Sequence, residues 1–167
     1  LYMGRYVHEK GIDLLIKAFT TLQTEHPNNW ELWCVGTGPL INQHDSNTHI
    51  RHFGFTQPSE MNEILSNCGV FVLPSRFEQW GVVIQEMAVS GFPLIASPAV
   101  GAAADYLQEG KNGFSFESEN IDSLKSVMLR MIQMTDGELA IMARHSHKMG
   151  LLHTPEKWAE VVMGLSS

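Results

Sequence analysis

Two carboxylates with seven residues between them, Glu78 and Glu86, frame the segment Glu78-Gln79-Trp80-Gly81-Val82-Val83-Ile84-Gln85-Glu86. Glu78 stands just before a glycine turn. Glu86 stands inside an apolar stretch, with Val82, Val83 and Ile84 before it and Met87, Ala88 and Val89 after it. A helix apolar on most faces is expected to be buried, and an unpaired buried carboxylate is costly. Glu86 is therefore expected to hold something, with Glu78 at the mouth of the same place. A carboxylate offers two acceptor oxygens, which suits the hydroxyls of a sugar or the diol of a ribose. The competing readings are a solvated loop charge for Glu78 and a structural ion pair with Lys or Arg for Glu86.

Two cations complement these acids. In Gly4-Arg5-Tyr6-Val7-His8-Glu9-Lys10-Gly11, Arg5 and Lys10 flank the start of a helix, and Gly4 and Gly11 permit close backbone approach. Cations at a helix N-terminus make a site for an anion, of which phosphate is the natural choice. The alternative is a pair of solvated surface charges. The helix opening at Gly81 would offer its first free amides to a second phosphate oxygen. The run Val35-Gly36-Thr37-Gly38-Pro39-Leu40 invites a dinucleotide reading, but Ile41 stands where the third glycine belongs. Phe53-Gly54-Phe55 stands where an acid should close the following strand. The two glycines are instead expected to form a tight strand-to-helix turn near a ligand. The small residues from Ser97 to Ala104 are expected to leave room for a bulky ligand, and Asp105 to be a helix-start charge or structural partner. Of the eight histidines only His8 lies in a candidate site loop, and His145, His147 and His153 are expected to be solvated. No cluster has zinc spacing, and no serine, histidine and acid arrangement suggests a hydrolytic triad.

These residues need a frame that brings them together. Short apolar runs, Leu1–Gly4, Trp30–Gly36, Ile50–Gly54, Val70–Leu73, Pro93–Ala96 and Gly113–Phe116, alternate with helical patterns. Gly11–Gln23 carries Ile12, Leu15, Ile16, Phe19 and Leu22 at helical spacing. Ser59–Leu65 is short, with Ser59 as its N-cap. Gly81–Ser90 is ended by Gly91 and Pro93. Asn120–Met134 carries Ile121, Leu124, Met128 and Met131 on one face. Such alternation predicts an α/β fold, a Rossmann-like, doubly wound parallel sheet of about six strands, whose ligands bind at the carboxyl ends of the strands. The tail starts a further helix at Thr154-Pro155-Glu156, with Trp158, Val161, Val162 and Leu165 on one stripe. The expected division is a Rossmann-like unit over 1–150 and a C-terminal helix over 151–167.

The 167 residues suit one domain, and a net charge of −7 argues against nucleic acid as partner. No apolar run approaches the roughly 20 residues of a membrane span. Cys34 and Cys68 read as buried free thiols, which fits a reducing compartment. The abrupt start at Leu1, with no leader pattern, reads as a fragment of a longer protein.

Together these motifs resemble the C-terminal domain of group 1 (family four) glycosyltransferases. The resemblance rests on Gly4-Arg5, Glu9-Lys10-Gly11, Val35-Gly36-Thr37-Gly38-Pro39, the Phe53-Gly54-Phe55 turn, Leu73-Pro74-Ser75, Asn112-Gly113-Phe114 and, above all, Glu78 to Gly91 with its paired glutamates. Gln79 and Trp80 depart from residues common there. The resemblance implies the donor half of a GT-B enzyme that transfers a hexose from a nucleotide diphosphate sugar with retention. It implies that Arg5 and Lys10 hold the diphosphate, Glu78 the donor sugar and Glu86 the ribose. Gly4 and the backbone from Trp80 through Gly81 and Val82 to Val83 would meet sugar and phosphate, and Phe55 would wall the base. It implies no cofactor and no metal, and an N-terminal acceptor domain onto which the final helix crosses back. A cytoplasmic location, with peripheral attachment to the inner membrane face, and a role in cell-surface polysaccharide or lipopolysaccharide synthesis follow from the family alone. The alternatives are an epimerase-like GT-B relative acting on sugar nucleotides and a nucleotide-binding module without catalysis.

Overall fold

The computed structural model describes residues 1–40 and 47–153; the predicted tail helix lies outside these residues. Among the described residues six parallel strands form where the short apolar runs stand: β1 (Tyr2–Met3), β2 (Leu32–Val35), β3 (Ile50–Gly54), β4 (Phe71–Leu73), β5 (Leu94–Ala96) and β6 (Gly113–Ser115). They make two three-stranded sheets, β1-β2-β3 and β4-β5-β6. The β1 and β4 edges meet through Leu1: its N donates to the Val70 carbonyl (2.8 Å), and its carbonyl accepts from Val72 N (2.9 Å). The layer thus runs 3-2-1-4-5-6, and the chain's direction of winding reverses between β1 and β4.

Side chains alternate across this layer as the strand pleat requires. Phe71 and Leu73 face one core with Leu94 and Ala96, whereas Val72 and Ile95 face the other. On one side α1 (Ile12–Glu25) packs with α5 (Ile121–Ile132), burying Leu15, Phe19, Leu22, Leu124, Met128 and Met131. On the other lie α2 (Pro58–Ser66), α3 (Val82–Val89) and α4 (Ala103–Tyr106), while α6 (Asp136–Gly150) packs tight against α3 and sends Met142 into the core on the α1 and α5 side. A Cβ on Gly150 would come within 2.3 Å of the Val89 nitrogen, so only glycine allows that approach. Cys34 is buried and Cys68 half-buried, both as free thiols. Burial pushes the Cys34 thiol up to about 12, so it is no nucleophile at neutral pH.

The helix ends follow local chemistry. α3 closes in a Schellman turn: Phe92 N donates to the Met87 carbonyl and Gly91 N to the Ala88 carbonyl, with Gly91 at φ 81°. Asn120 caps α5 by accepting from Ser123 N. The start of α2 differs from the expected Ser59 cap. Gln57 is the cap, in a reciprocal box with Glu60, because the helix begins at Pro58 and moves the cap two residues back. α6 was given no bounds by the sequence reading, which placed His145 and His147 on helices, although Thr135 and Glu138 form a capping box at its start. Asn112 is fully buried and explains the Asn-Gly pair before β6. Its Nδ2 donates to the Tyr106 carbonyl (2.7 Å), its Oδ1 accepts from Gln108 N (2.7 Å), and Gly113 lets that chain lie against Leu94.

Candidate functional site

In an open parallel sheet a crevice forms at the carboxyl edge where winding reverses, here between β1 and β4. The loops leaving those two strands carry Arg5, Lys10 and Glu78. After β1 the chain crosses Gly4 and Arg5, makes a single 3-10 turn over His8–Lys10, and enters α1 through Gly11 at φ 67°. Tyr2 Oη donates to the Arg5 carbonyl (2.9 Å), and Tyr6 N donates to the Thr37 carbonyl (2.8 Å). The Gly36–Gly38 turn wraps this loop. A Cβ on Gly36 would stand 1.9 Å from the Gly4 carbonyl oxygen, which is why no side chain is carried there. The two glycines expected to make a turn near a ligand thus clamp the backbone that carries Arg5.

The second loop, Pro74 to Gly81, is pressed onto the first. Arg76 N and Phe77 N both donate to the Glu9 carbonyl (2.9 and 3.2 Å), and a Cβ on Gly11 would stand 2.1 Å from the Pro74 oxygen. Lys10 and Glu78 meet as an ion pair, with side chains only 19% and 17% exposed. From the far side, Glu78 N donates to the Ala99 carbonyl, Gly101 N to the Glu78 carbonyl and Ala102 N to the Trp80 carbonyl (3.2, 3.1 and 2.7 Å). The small residues after β5 therefore do not leave room for a ligand. They are filled by the Glu78–Trp80 backbone, which comes so close that a Cβ on Gly101 would lie 2.3 Å from the Gln79 oxygen. Asp105 lies in the first turn of α4, as expected.

Gly81, at φ 87°, starts α3 without any side-chain cap. The first amides of a helix have no intrahelical acceptor, so those of Val82 and Val83 are available to an anion beside the Lys10–Glu78 pair. Glu86 corrects the sequence reading: it is exposed, not buried, and forms no ion pair among the described residues. α3 buries Ile84, Met87 and Ala88, whereas Val82, one turn before Glu86, is 57% exposed. An apolar composition on every face did not mean burial on every face. Arg5 is likewise exposed and unpaired among the described residues. The structure thus brings Lys10 and Glu78 together, and leaves Arg5 and Glu86 as open charges on the adjoining loop and helix. Phe55, at the end of β3, is 78% exposed, and Trp80 is 45% exposed.

Two residues of this region escaped the sequence reading. Arg76 reaches back to α1, where Asp13 takes its Nη1 and Nη2 at 2.6 and 2.9 Å. Burial pushes the Asp13 carboxyl up, but the hydrogen bonds and charge of Arg76 outweigh this and hold it below the usual carboxylate range. Neither residue sits in a repeating pattern, and 63 positions separate them. His147 is exposed, as expected, yet its Nδ1 lies 2.5 Å from the Val89 carbonyl at the end of α3. A cavity of about 470 Å³ lies at the opposite, amino edge of the sheet, lined by Leu1, Trp30, Val70, Met128 and Met131 among others. Its one carboxylate, Glu31, is engaged by Trp33 Nε1 (2.7 Å) and Arg51 (2.8 Å), so the reactive charges lie elsewhere.

Comparison with known proteins agrees with this fold. The glycogen synthase of Mycobacterium tuberculosis is 30% identical over 135 residues, covering 77% of this chain and 32% of that enzyme. Staphylococcus aureus TarM, solved with UDP and alpha-GlcNAc-glycerol, superposes with a TM-score of 0.86 at 20% identity, over 98% of this chain and 34% of that one. WaaG, a glycosyltransferase involved in lipopolysaccharide biosynthesis, superposes with a TM-score of 0.77 at 18% identity, over 98% of this chain and 46% of that one. The chain spans about a third of the length of the curated relatives it matches. Its fold is that of the Rossmann-like half of GT-B glycosyltransferases. The family model for glycosyl transferases group 1 matches residues 1–148, and the chain belongs to that family.

Proposed function

We propose that this chain is the donor-binding half of a retaining glycosyltransferase that moves a hexose from a nucleotide diphosphate sugar to an acceptor. The observation that carries the reading is the Lys10–Glu78 ion pair at the β1/β4 crossing, set beside the uncapped start of α3. An ammonium has three donors, so Lys10 can keep Glu78 in place while it binds a phosphate oxygen. Arg5 adds a second positive charge from the same loop. Glu78 then accepts from hydroxyls of the donor sugar, and Glu86 from the ribose diol. Phe55 offers an apolar surface to the base.

Departure of the nucleoside diphosphate leaves negative charge on its β-phosphate oxygens. Cations and helix amides already oriented toward that charge lower the barrier without rearranging at the moment of reaction. Lys10, Arg5 and the Val82 and Val83 amides can do this with no metal ion, and nucleoside diphosphate binding is expected to persist in excess EDTA. The leaving phosphate itself takes the proton of the acceptor hydroxyl. An N-terminal domain supplies the acceptor, and a cell-surface polysaccharide or lipopolysaccharide is the acceptor class that the likeness to WaaG favours. An acceptor panel with the full-length enzyme separates this from storage-glucan synthesis.

Calorimetry with UDP, GDP and ADP tests the donor reading. One of the three is expected to bind the chain in a saturable way and to bind Lys10→Ala at least tenfold more weakly. No response to any of them would leave a non-catalytic scaffold as the better account.

A further inference from the structure

We propose that Arg76 is a positioning residue, one guanidinium that ties the loops after β1, β4 and β6 together and so sets Lys10 against Glu78. The proposal rests on the donor reading above and adds a residue to it. The contacts converge from three directions. Asp13, in the first turn of α1, takes Nη1 and Nη2 at 2.6 and 2.9 Å. The His8 carbonyl, two residues before Lys10, takes Nη1 at 2.8 Å. Glu119, from the loop after β6, lies 2.6 Å from Nε. Glu119 holds φ at 61°, the one non-glycine residue in the left-handed region among the described residues, so its backbone is bent out of the ordinary range where it meets Arg76. The backbone of Arg76 joins the same lock, because Arg76 N and Phe77 N share the Glu9 carbonyl.

Lys10 follows Glu9 directly, and Glu78 follows Phe77 directly. Any shift of Arg76 therefore moves both members of the ion pair relative to each other. Arg76 is unsuited to touch the donor itself. Its side chain is 13% exposed, three hydrogen bonds to protein acceptors already occupy Nη1 and Nη2, and the Glu119 carboxylate stands against Nε as an ion-pair contact without hydrogen-bond alignment. A planar fork is needed for this, since a lysine keeps the charge but loses the two-pronged grip on Asp13.

Arg76→Lys and Asp13→Asn test the idea by two measurements on folded protein, well below the unfolding transition. The first is affinity for the nucleoside diphosphate that binds the unaltered chain. The second is the amide ¹H–¹⁵N shifts without ligand. Arg76→Lys is expected to lower affinity at least tenfold and Asp13→Asn about fivefold. Both are expected to move the amides of Glu9, Lys10, Phe77 and Glu78 while leaving those of Leu32 to Val35 in place. A merely structural role lowers the melting temperature but leaves affinity unmoved, and that result from both variants overturns the proposal. Affinity lost with the loop amides unmoved also overturns it, because Arg76 would then touch the ligand. If the unaltered chain binds no nucleotide, the donor reading fails, whereas the shifts without ligand still decide whether Arg76 sets the Lys10–Glu78 geometry.

Discussion

Glu86 is the residue on which sequence and structure disagree most usefully. An apolar neighbourhood suggested burial, and burial suggested a partner; the side chain is instead open and unpaired among the described residues. Open carboxylates without partners contribute little to stability, typically within about 0.5 kcal/mol. A charge-assisted hydrogen bond to a ligand contributes about 1.5–3 kcal/mol. Glu86→Gln is therefore expected to weaken nucleoside diphosphate binding about tenfold while the urea unfolding midpoint stays put, and equal losses in both would make Glu86 structural. Asp13 is different, because its ion pair with Arg76 is present in the folded chain only. Its folded carboxyl titrates below the unfolded value of about 3.9. The stability it adds is complete above that unfolded value and is lost as pH falls through the lower folded one. Urea unfolding is expected to weaken less on acidification in Asp13→Asn than in the unaltered chain. An identical pH profile for the two would remove the pair from the stability account.

Among elements, the major helices were legible because a period of 3.6 writes itself into the apolar pattern, and the strands because they stand out as short apolar runs. β4 and β5 show the second case: three buried residues each, bounded by loop residues, are too short for a helix. The Lys10–Glu78 loop pair was legible as a set of charges after strands. It was not legible as a contact, since nothing in either loop encodes a partner 68 positions away. Arg76 and Asp13 were invisible for the same reason, and α6 was left without bounds although Thr135 and Glu138 announce its start. The glycines were read as permitting ligand approach, but several permit approach of the chain to itself. Gly11 is the sharpest case, with a left-handed backbone and the Pro74 oxygen where a Cβ would stand. Gly11→Ala is expected to cost about 2–3 kcal/mol from backbone strain and the clash and to lower nucleotide affinity by parting the two loops. A variant with unchanged unfolding free energy would contradict the close packing of those loops.

At the scale of the molecule, winding reversal between β1 and β4 gathers cations, an acid and a free helix start on one edge. Both cores sit behind that edge, one on each face of the sheet. No helix among the described residues is long and apolar enough to cross a membrane. The chain matches about a third of its curated relatives' length, so binding and transfer separate as expectations. The chain is expected to bind the donor nucleotide but not to transfer sugar by itself, and robust transfer by the 167-residue chain would contradict the two-domain proposal. The most direct test of the central claim is a crystal of this chain soaked with a nucleotide diphosphate sugar. The account predicts the diphosphate between Lys10, Arg5 and the Val82 and Val83 amides, with the hexose on Glu78 and the ribose on Glu86. Density for the nucleotide at the amino edge of the sheet, or a diphosphate out of reach of Lys10, would contradict it.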